Sequence, residues 1–334
     1  MTIGLIDVDG HNSYPNFALM RTSAYLKEQG HDVTWAQPGH EYDEIWASKV
    51  FTFTPDVRWE QYHAARIYKG GTGYDIKGHL PPPIERSLLM DYTLYPDYDG
   101  SLQFYSRGCI RHCPFCLVRD KEGYICPVDP VQLNPNGKYI EVLDNNFFAN
   151  PRWREAVDDI LRIGQPVKLH GVDVRIMDEE QARALNQMRH VGSIHIAWDL
   201  PKMDLRPQLE AMIKHVKPSK IMCYVLIGYN STIEQDLHRC RTLKQYGIMP
   251  FVQPYRDYEN DRIPMQYEKD LARWADNKWF FKSMDFPDFE PRKGFRCQQY
   301  FDNPELLRQP SVADTKRKKK REAEAMQELL ALEF

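Results

Sequence analysis

Cys109, Cys113 and Cys116 fall within one short segment, YSRGCIRHCPFC at residues 105–116, with the spacing C-x3-C-x2-C. Thiolates are soft ligands that select zinc or iron–sulfur clusters. A closed structural zinc site takes four ligands, usually as two separated pairs. This segment offers one tight triplet and no second pair. Three thiolates on a four-iron cube leave one iron without a protein ligand, and that iron can take a small molecule through an amine and a carboxylate. Two other chemistries stay open at this level. One is a zinc site completed by His112 or a distant cysteine; the other is three unrelated thiols in a turn. Non-disulfide cysteines usually behave as small buried hydrophobes, but Arg107, Gly108, Arg111, His112 and Pro114 make this stretch a polar loop.

The triplet resembles the cluster loop of the radical S-adenosylmethionine (SAM) superfamily. That signature is C-x3-C-x-aromatic-C, and Cys109, Cys113, Phe115 and Cys116 match it position by position. The resemblance implies a [4Fe–4S] cluster ligated by Cys109, Cys113 and Cys116, with SAM chelated at the open iron beside Phe115. It also implies reductive cleavage of SAM to methionine and a 5′-deoxyadenosyl radical, which abstracts hydrogen from a substrate. The electron would come from a flavodoxin- or ferredoxin-type donor. The resemblance names neither the catalytic residue nor the substrate.

Composition bounds the class. The chain has 334 residues, 42% of them hydrophobic and 12% aromatic, enough for two domains with their own cores. A formal net charge of −3 points to neither nucleic acid nor an anionic membrane as a global partner. No run of about 18 apolar residues predicts a membrane span. The N-terminus lacks the basic and apolar regions of a signal peptide. Three of the seven cysteines belong to the triplet and the others, Cys126, Cys223, Cys240 and Cys297, are scattered, which predicts a reducing, cytoplasmic setting.

The elements that must position the triplet can be placed from periodicity. Thr2 to Val8 predicts a buried strand, Asn16 to Glu28 a helix ending at Gly30, and Asp32 to Ala36 and Glu44 to Phe53 further strands. Together these predict a small Rossmann-like α/β domain over residues 1–95. Lys69 to Pro83, rich in Gly and Pro, reads as a connection. Strands are predicted at Ser101–Tyr105, Tyr139–Leu143, Val167–Val174, Ser193–Ala197, Lys220–Ile227 and Met249–Val252. Helices between them predict a partial (β/α)6 TIM-like barrel over 96–290, with the cysteines at the carboxyl rim of its first strand. The resemblance implies the same barrel. Residues 291–334 form a polar extension.

Other candidate SAM contacts sit at predicted strand ends. Asp144 and Asn145 stand where the family often has Gly-Gly-Glu, so only the role of accepting from the SAM amine carries over, against a simple Asx turn. Alternation along Val167–Val174 would put Asp173 and Arg175 on one face, with Arg175 suited to grip a carboxylate. Asp199 is placed to accept a ribose hydroxyl or to cap the next helix. Gly228 permits close backbone approach to adenine, while Ser231-Thr-Ile-Glu234 is a capping-box pattern. Val252 and Gln253 offer backbone groups to adenine, and Arg256 is a candidate substrate contact.

Two further features remain. The loop Asp9-Gly-His11-Asn-Ser-Tyr14 resembles the D-x-H-x-x-G loop of base-off cobalamin proteins, but Tyr14 replaces the glycine and the domain is short, so cobalamin is not expected. The run Lys316 to Arg321, followed by a helix through Met326, Leu329 and Leu330, is a candidate nucleic-acid patch or a solvated tail. The expected activity is a radical SAM enzyme. A methylthiotransferase is disfavoured because residues 1–108 hold no cysteine for additional clusters. A glycyl-radical activase stays open, though the N-terminal domain is unexpected for it. The non-enzyme alternative is a zinc-stabilised nucleic-acid adaptor.

Overall fold

A computed structural model describes residues 1–10, 14–257, 260, 262–320 and 323. The chain is mixed α/β, its three larger sheets are parallel, and it divides into two compact units. The first comprises Met1–Asp173 and Gln187–Gly192; the second comprises Val174–Asn186 and the chain from Ser193 onward. No helix among the described residues is long and apolar enough to cross a membrane.

The first unit opens with β1 (Thr2–Asp7), whose apolar run is buried. Helix α1 (Phe17–Glu28) follows, capped by Asn16, whose Oδ1 accepts the Leu19 N–H at 3.2 Å. The Asn16 amide also donates to the Ser48 hydroxyl at 2.9 Å. One residue thus starts the helix and ties it to the carboxyl end of β3 (Glu41–Ser48). With β2 (Asp32–Trp35) and β4 (His63–Gly70), the sheet runs in the order β2-β1-β3-β4, all parallel. Strand β4 was not predicted. It is an edge strand, largely exposed, and carries none of the apolar alternation by which a strand is recognised. The strand expected at Glu44–Phe53 instead ends at Ser48.

After the short helix α2 (Pro82–Glu85), the same unit builds a second parallel sheet from β5 (Gly100–Gln103), β8 (Tyr139–Val142) and β9 (Val167–Leu169), in the order β5-β8-β9. Between β5 and β8 lie β6 (Ser106–Arg107), α3 (Val118–Glu122) and β7 (Cys126–Pro127); β6 and β7 form an antiparallel pair. Helix α4 (Trp153–Ile163) buries Trp153, Ala156, Val157 and Ile160, one stripe at i, i+3, i+4 and i+7.

The strand predicted at Val167–Val174 stops at Leu169. The chain then leaves the ladder: the Gly171 carbonyl accepts the Phe147 N–H at 2.8 Å, and Val174–Ile176 is a 3₁₀ turn. Strand alternation therefore does not apply to Asp173 and Arg175, which do not share a strand face.

The second unit runs α5 (Glu179–Gln187), β10 (Ile194–Ala197), α6 (Arg206–Ile213), β11 (Ile221–Ile227), α7 (Ile233–Gln245), β12 (Met249–Pro254), α8 (Gln266–Asp276), α9 (Lys278–Ser283) and α10 (Gln299–Asp302). Its sheet, β10-β11-β12, is parallel. Packing continues well beyond residue 290. Asp314 is buried and pairs with Arg256 at 2.6 Å, and the Ser311 N–H donates to the Pro264 carbonyl at 2.9 Å. Arg256, a candidate substrate contact, is thereby engaged. Lys316, Arg317, Lys319 and Lys320 are exposed on a helix over 312–320. Arg321, Met326, Leu329 and Leu330 lie outside the described residues, as does His11.

Arg239 organises this second unit. Its side chain on α7 is fully buried, paired with Asp236 and donating to the carbonyls of Trp198 (2.7 Å), Asp199 (3.1 Å) and Leu226 (2.9 Å). It joins the carboxyl ends of β10 and β11 to the helix behind them. A buried charge survives only when paired and hydrogen-bonded. We predict that Arg239→Ala lowers the unfolding free energy by about 3–5 kcal/mol, because it strands Asp236 and three carbonyls. Urea unfolding checks this, and a loss below about 1 kcal/mol would show that the tie is dispensable.

Candidate functional site

The thiol loop is suspended from two carboxylates. Asp144, just after β8, accepts the Tyr105 N–H at 2.8 Å and the Ser106 hydroxyl at 2.5 Å, so the chain leaving β5 is stapled to the end of its neighbour. Glu122, at the end of α3, accepts Arg107 through Nη2 at 2.8 Å and Nε at 3.1 Å. It also accepts the Gly108 N–H at 2.8 Å and the Asn145 amide at 3.0 Å. Gly108 has φ +80°, and a Cβ there would lie 2.6 Å from the Tyr124 carbonyl oxygen, so only glycine lets the two sides of the hairpin meet. Cys109 follows directly, its N–H on the Gly123 carbonyl at 3.3 Å.

The Cys109 sulfur accepts from the Arg111 N–H at 3.3 Å and lies 3.7 Å from the Asn146 amide nitrogen. Asn146 also donates to Asp173 at 3.1 Å, and Arg111 pairs with the same carboxylate at 3.3 Å. The Cys116 N–H closes a turn onto the Cys113 carbonyl at 3.0 Å. His112 faces Asp120 at 3.6 Å, both side chains exposed.

The donor chemistry fits a cluster with three protein thiolates. Cys109, Cys113 and Cys116 are free of disulfides and half-buried, within reach of solvent and reagents. Two N–H groups turn toward the Cys109 sulfur. The remaining cysteines differ: Cys223, Cys240 and Cys297 are buried, and burial raises each thiol pKa, that of Cys240 to about 12. Cys126 is exposed and lies opposite Arg107 on the hairpin. Among the described residues no three or more His, Cys, Asp or Glu side chains are drawn together as for a metal ion. The three thiols share a loop, and ligation would have to gather it.

The other predicted contacts fall as follows. Asp144 is buried with both carboxylate oxygens occupied, and Asn145 is half-buried on Glu122. Phe115 is half-buried within the thiol loop. Arg175, Asp199, Gly228 and Gln253 all belong to the second unit. Asp199 does not cap α6, whose N-cap is Leu205; its backbone carbonyl serves Arg239. Gly228 has φ +73°, and a Cβ there would lie 2.1 Å from Glu268 Oε1; its carbonyl accepts from Arg262 at 3.0 Å. The close approach there is thus to a protein side chain. The expected capping box is shifted by one residue to Thr232 and Gln235, and the Ser231 hydroxyl accepts the Gly228 N–H instead. Gln253 is exposed, while the neighbouring Val252 N–H is taken by Asp276 at 2.6 Å.

Sequence reasoning missed Glu122, Asn146 and Glu141. Glu122 and Asn146 carry no motif, because their partners come from other turns of the chain. Glu141, buried on β8, accepts from Tyr98 at 2.6 Å and Lys168 at 2.8 Å, with His170 Nε2 at 2.6 Å. Burial alone would raise its pKa, but the bonds from His170, Lys168 and Tyr98 outweigh it and hold the carboxyl at about 2. The register pairs Glu141 with both Leu102 and Lys168, a charge on the same face as an apolar residue. A buried acid in a strand signals a partnered polar cluster, and that signal was available in the sequence. No family model matches the chain, and no curated protein does.

Burial raises the Asp144 carboxyl from 3.8 to about 6, against the opposing bonds from Ser106 and Tyr105. Between those two values the folded chain binds a proton that the unfolded chain has released, so this group makes stability rise as pH falls. We predict that the unfolding free energy of the wild type, minus that of Asp144→Asn, grows by about 2 kcal/mol from pH 7 to pH 4. Denaturant titrations at each pH measure it, and a flat difference would show an ordinary carboxyl.

Proposed function

We propose that the chain is a radical SAM enzyme whose cluster is held by Cys109, Cys113 and Cys116. One observation carries the proposal: three free, half-buried thiols at C-x3-C-x2-C spacing on a loop that buried Asp144 and half-buried Glu122 pin at the carboxyl ends of parallel strands. When bound, the cluster and SAM would supply reductive cleavage to a 5′-deoxyadenosyl radical. The chain's own residues do the rest. Asp144 and Glu122 fix residues 105–108, so the loop has one anchored end from which to close. Asn146 and the Arg111 N–H donate to the Cys109 sulfur and orient it. Asp173 holds Arg111 and Asn146 in place for that task.

The architecture that goes with this reading is a partial (β/α)6 barrel drawn from β5, β8, β9, β10, β11 and β12. Lys168 and His170 each expose about a third of their side chains beside Glu141 and offer polar groups to a substrate. A cytoplasmic setting with a flavodoxin- or ferredoxin-type donor belongs to the same reading.

Anaerobic reconstitution should give about four irons and four sulfides per chain. Replacing any of Cys109, Cys113 or Cys116 by Ala should reduce iron to near background, and Cys126→Ala should leave it unchanged. Reduced with dithionite, the reconstituted protein should release 5′-deoxyadenosine from SAM, measured by chromatography. Stoichiometric zinc without iron uptake would overturn the proposal.

A further inference from the structure

A crevice of about 930 Å³ opens within the first unit, and the thiol chemistry does not use it. It lies where Ser48 ends β3 and Gly70 ends β4, the edge at which open parallel sheets receive ligands. Its size is that of a pocket for a small organic molecule. One wall is aromatic. Trp46 and Tyr68 stack with centroids 4.3 Å apart, and Phe17 meets Phe104 edge-on at 5.0 Å.

The charges lining it do not balance. Each carboxylate in the wall already has a partner. Glu122 holds Arg107, Glu85 faces His79 at 3.5 Å, Asp129 faces Arg152 at 3.3 Å, and Asp75 accepts the Lys77 N–H at 2.9 Å. Four lining cations, Arg21, Lys69, Arg86 and Lys121, make no ion pair among the described residues, and of these Arg21 and Lys121 are the half-buried ones. Arg21, on α1, donates Nη1 to the Glu85 carbonyl at 2.6 Å, and its Nε is buried without a partner. Lys121, on α3, donates to the Thr72 hydroxyl. Neither makes an ion pair among the described residues. Burial, and then the neighbouring Arg107 cation, press the Arg21 pKa down. The Lys121 pKa is also lowered, by burial first, with the Arg107 cation adding to it against Glu122.

Half-buried cations that face a cavity without an ion pair are stabilised when an anion arrives. Guanidinium and ammonium groups both suit phosphate, and the guanidinium can engage it bidentately. The aromatic wall suits a planar ring. We propose that this crevice binds a phosphorylated small molecule with a planar ring, of nucleoside monophosphate size, its phosphate between Arg21 and Lys121 and its ring along Trp46 and Tyr68. The inference stands apart from the cluster, because none of these four side chains belongs to the thiol loop.

Calorimetric titration of the full chain with guanosine and uridine 5′-monophosphates tests it, with the parent nucleosides as controls. Adenine is avoided because SAM carries it. At least one monophosphate should bind one per chain with Kd below about 1 mM, and its nucleoside at least tenfold more weakly. Arg21→Gln and Lys121→Met should each weaken that binding about tenfold or more, while thermal melting and iron content stay unchanged. If Arg21→Gln fails to fold, Lys121→Met decides, since among the described residues its ammonium hydrogen-bonds to the Thr72 hydroxyl alone. Absence of binding at several times 1 mM, equal affinity for the nucleoside, or undiminished affinity in a folded variant would each overturn the proposal.

Discussion

The carboxylate of Asp144 is the interaction on which the thiol loop depends. The chain must leave β5 at Gln103 and turn through Tyr105 and Ser106 before it can present Cys109. Two polar groups of that turn are buried, the Tyr105 N–H and the Ser106 hydroxyl. Leaving either unpaired would cost about 1–3 kcal/mol. Asp144 satisfies both from the end of the neighbouring strand. Its own burial is the cost, visible in a carboxyl pushed up to about 6. Glu122 repeats the device one step along the chain, gripping Arg107 and the Gly108 N–H.

The second unit meets the same demand with the opposite sign. Parallel strands end in carbonyl groups that no ladder neighbour takes up, and those ends are buried under the following helices. Arg239 supplies the donors, reaching three carbonyls from α7 while Asp236 neutralises it. Gly228 belongs to a second such knot, in which Arg262 bonds its carbonyl and pairs with Glu268 at 2.7 Å. In both units buried charge is placed where strands end, so the loops that leave them start from defined positions.

Chemistry divides the cysteines as burial does. Cys223, Cys240 and Cys297 are packed as small apolar groups, their thiols held protonated by desolvation. Cys109, Cys113 and Cys116 sit on a partly open loop with donors aimed at the first sulfur. In the first unit, Arg21 and Lys121 line the aromatic crevice without an ion pair among the described residues.

By itself the sequence determined the mixed α/β class, five of the six later strands to within a few residues, and helix α1. These follow from local pattern: apolar runs and helical spacing. It did not disclose β4, because an exposed edge strand needs no apolar face. It placed the capping box one residue early, because Ser231 was needed by the Gly228 N–H. It set Asp173 and Arg175 on a strand that had already ended, since the bond from Phe147 to Gly171 drew the chain away. Only the tertiary structure decided what Asp144, Glu122, Glu141 and Arg239 do. The meaning of a buried charge lies in its partners, and those partners come from elements dozens of residues away that only folding brings within hydrogen-bond reach.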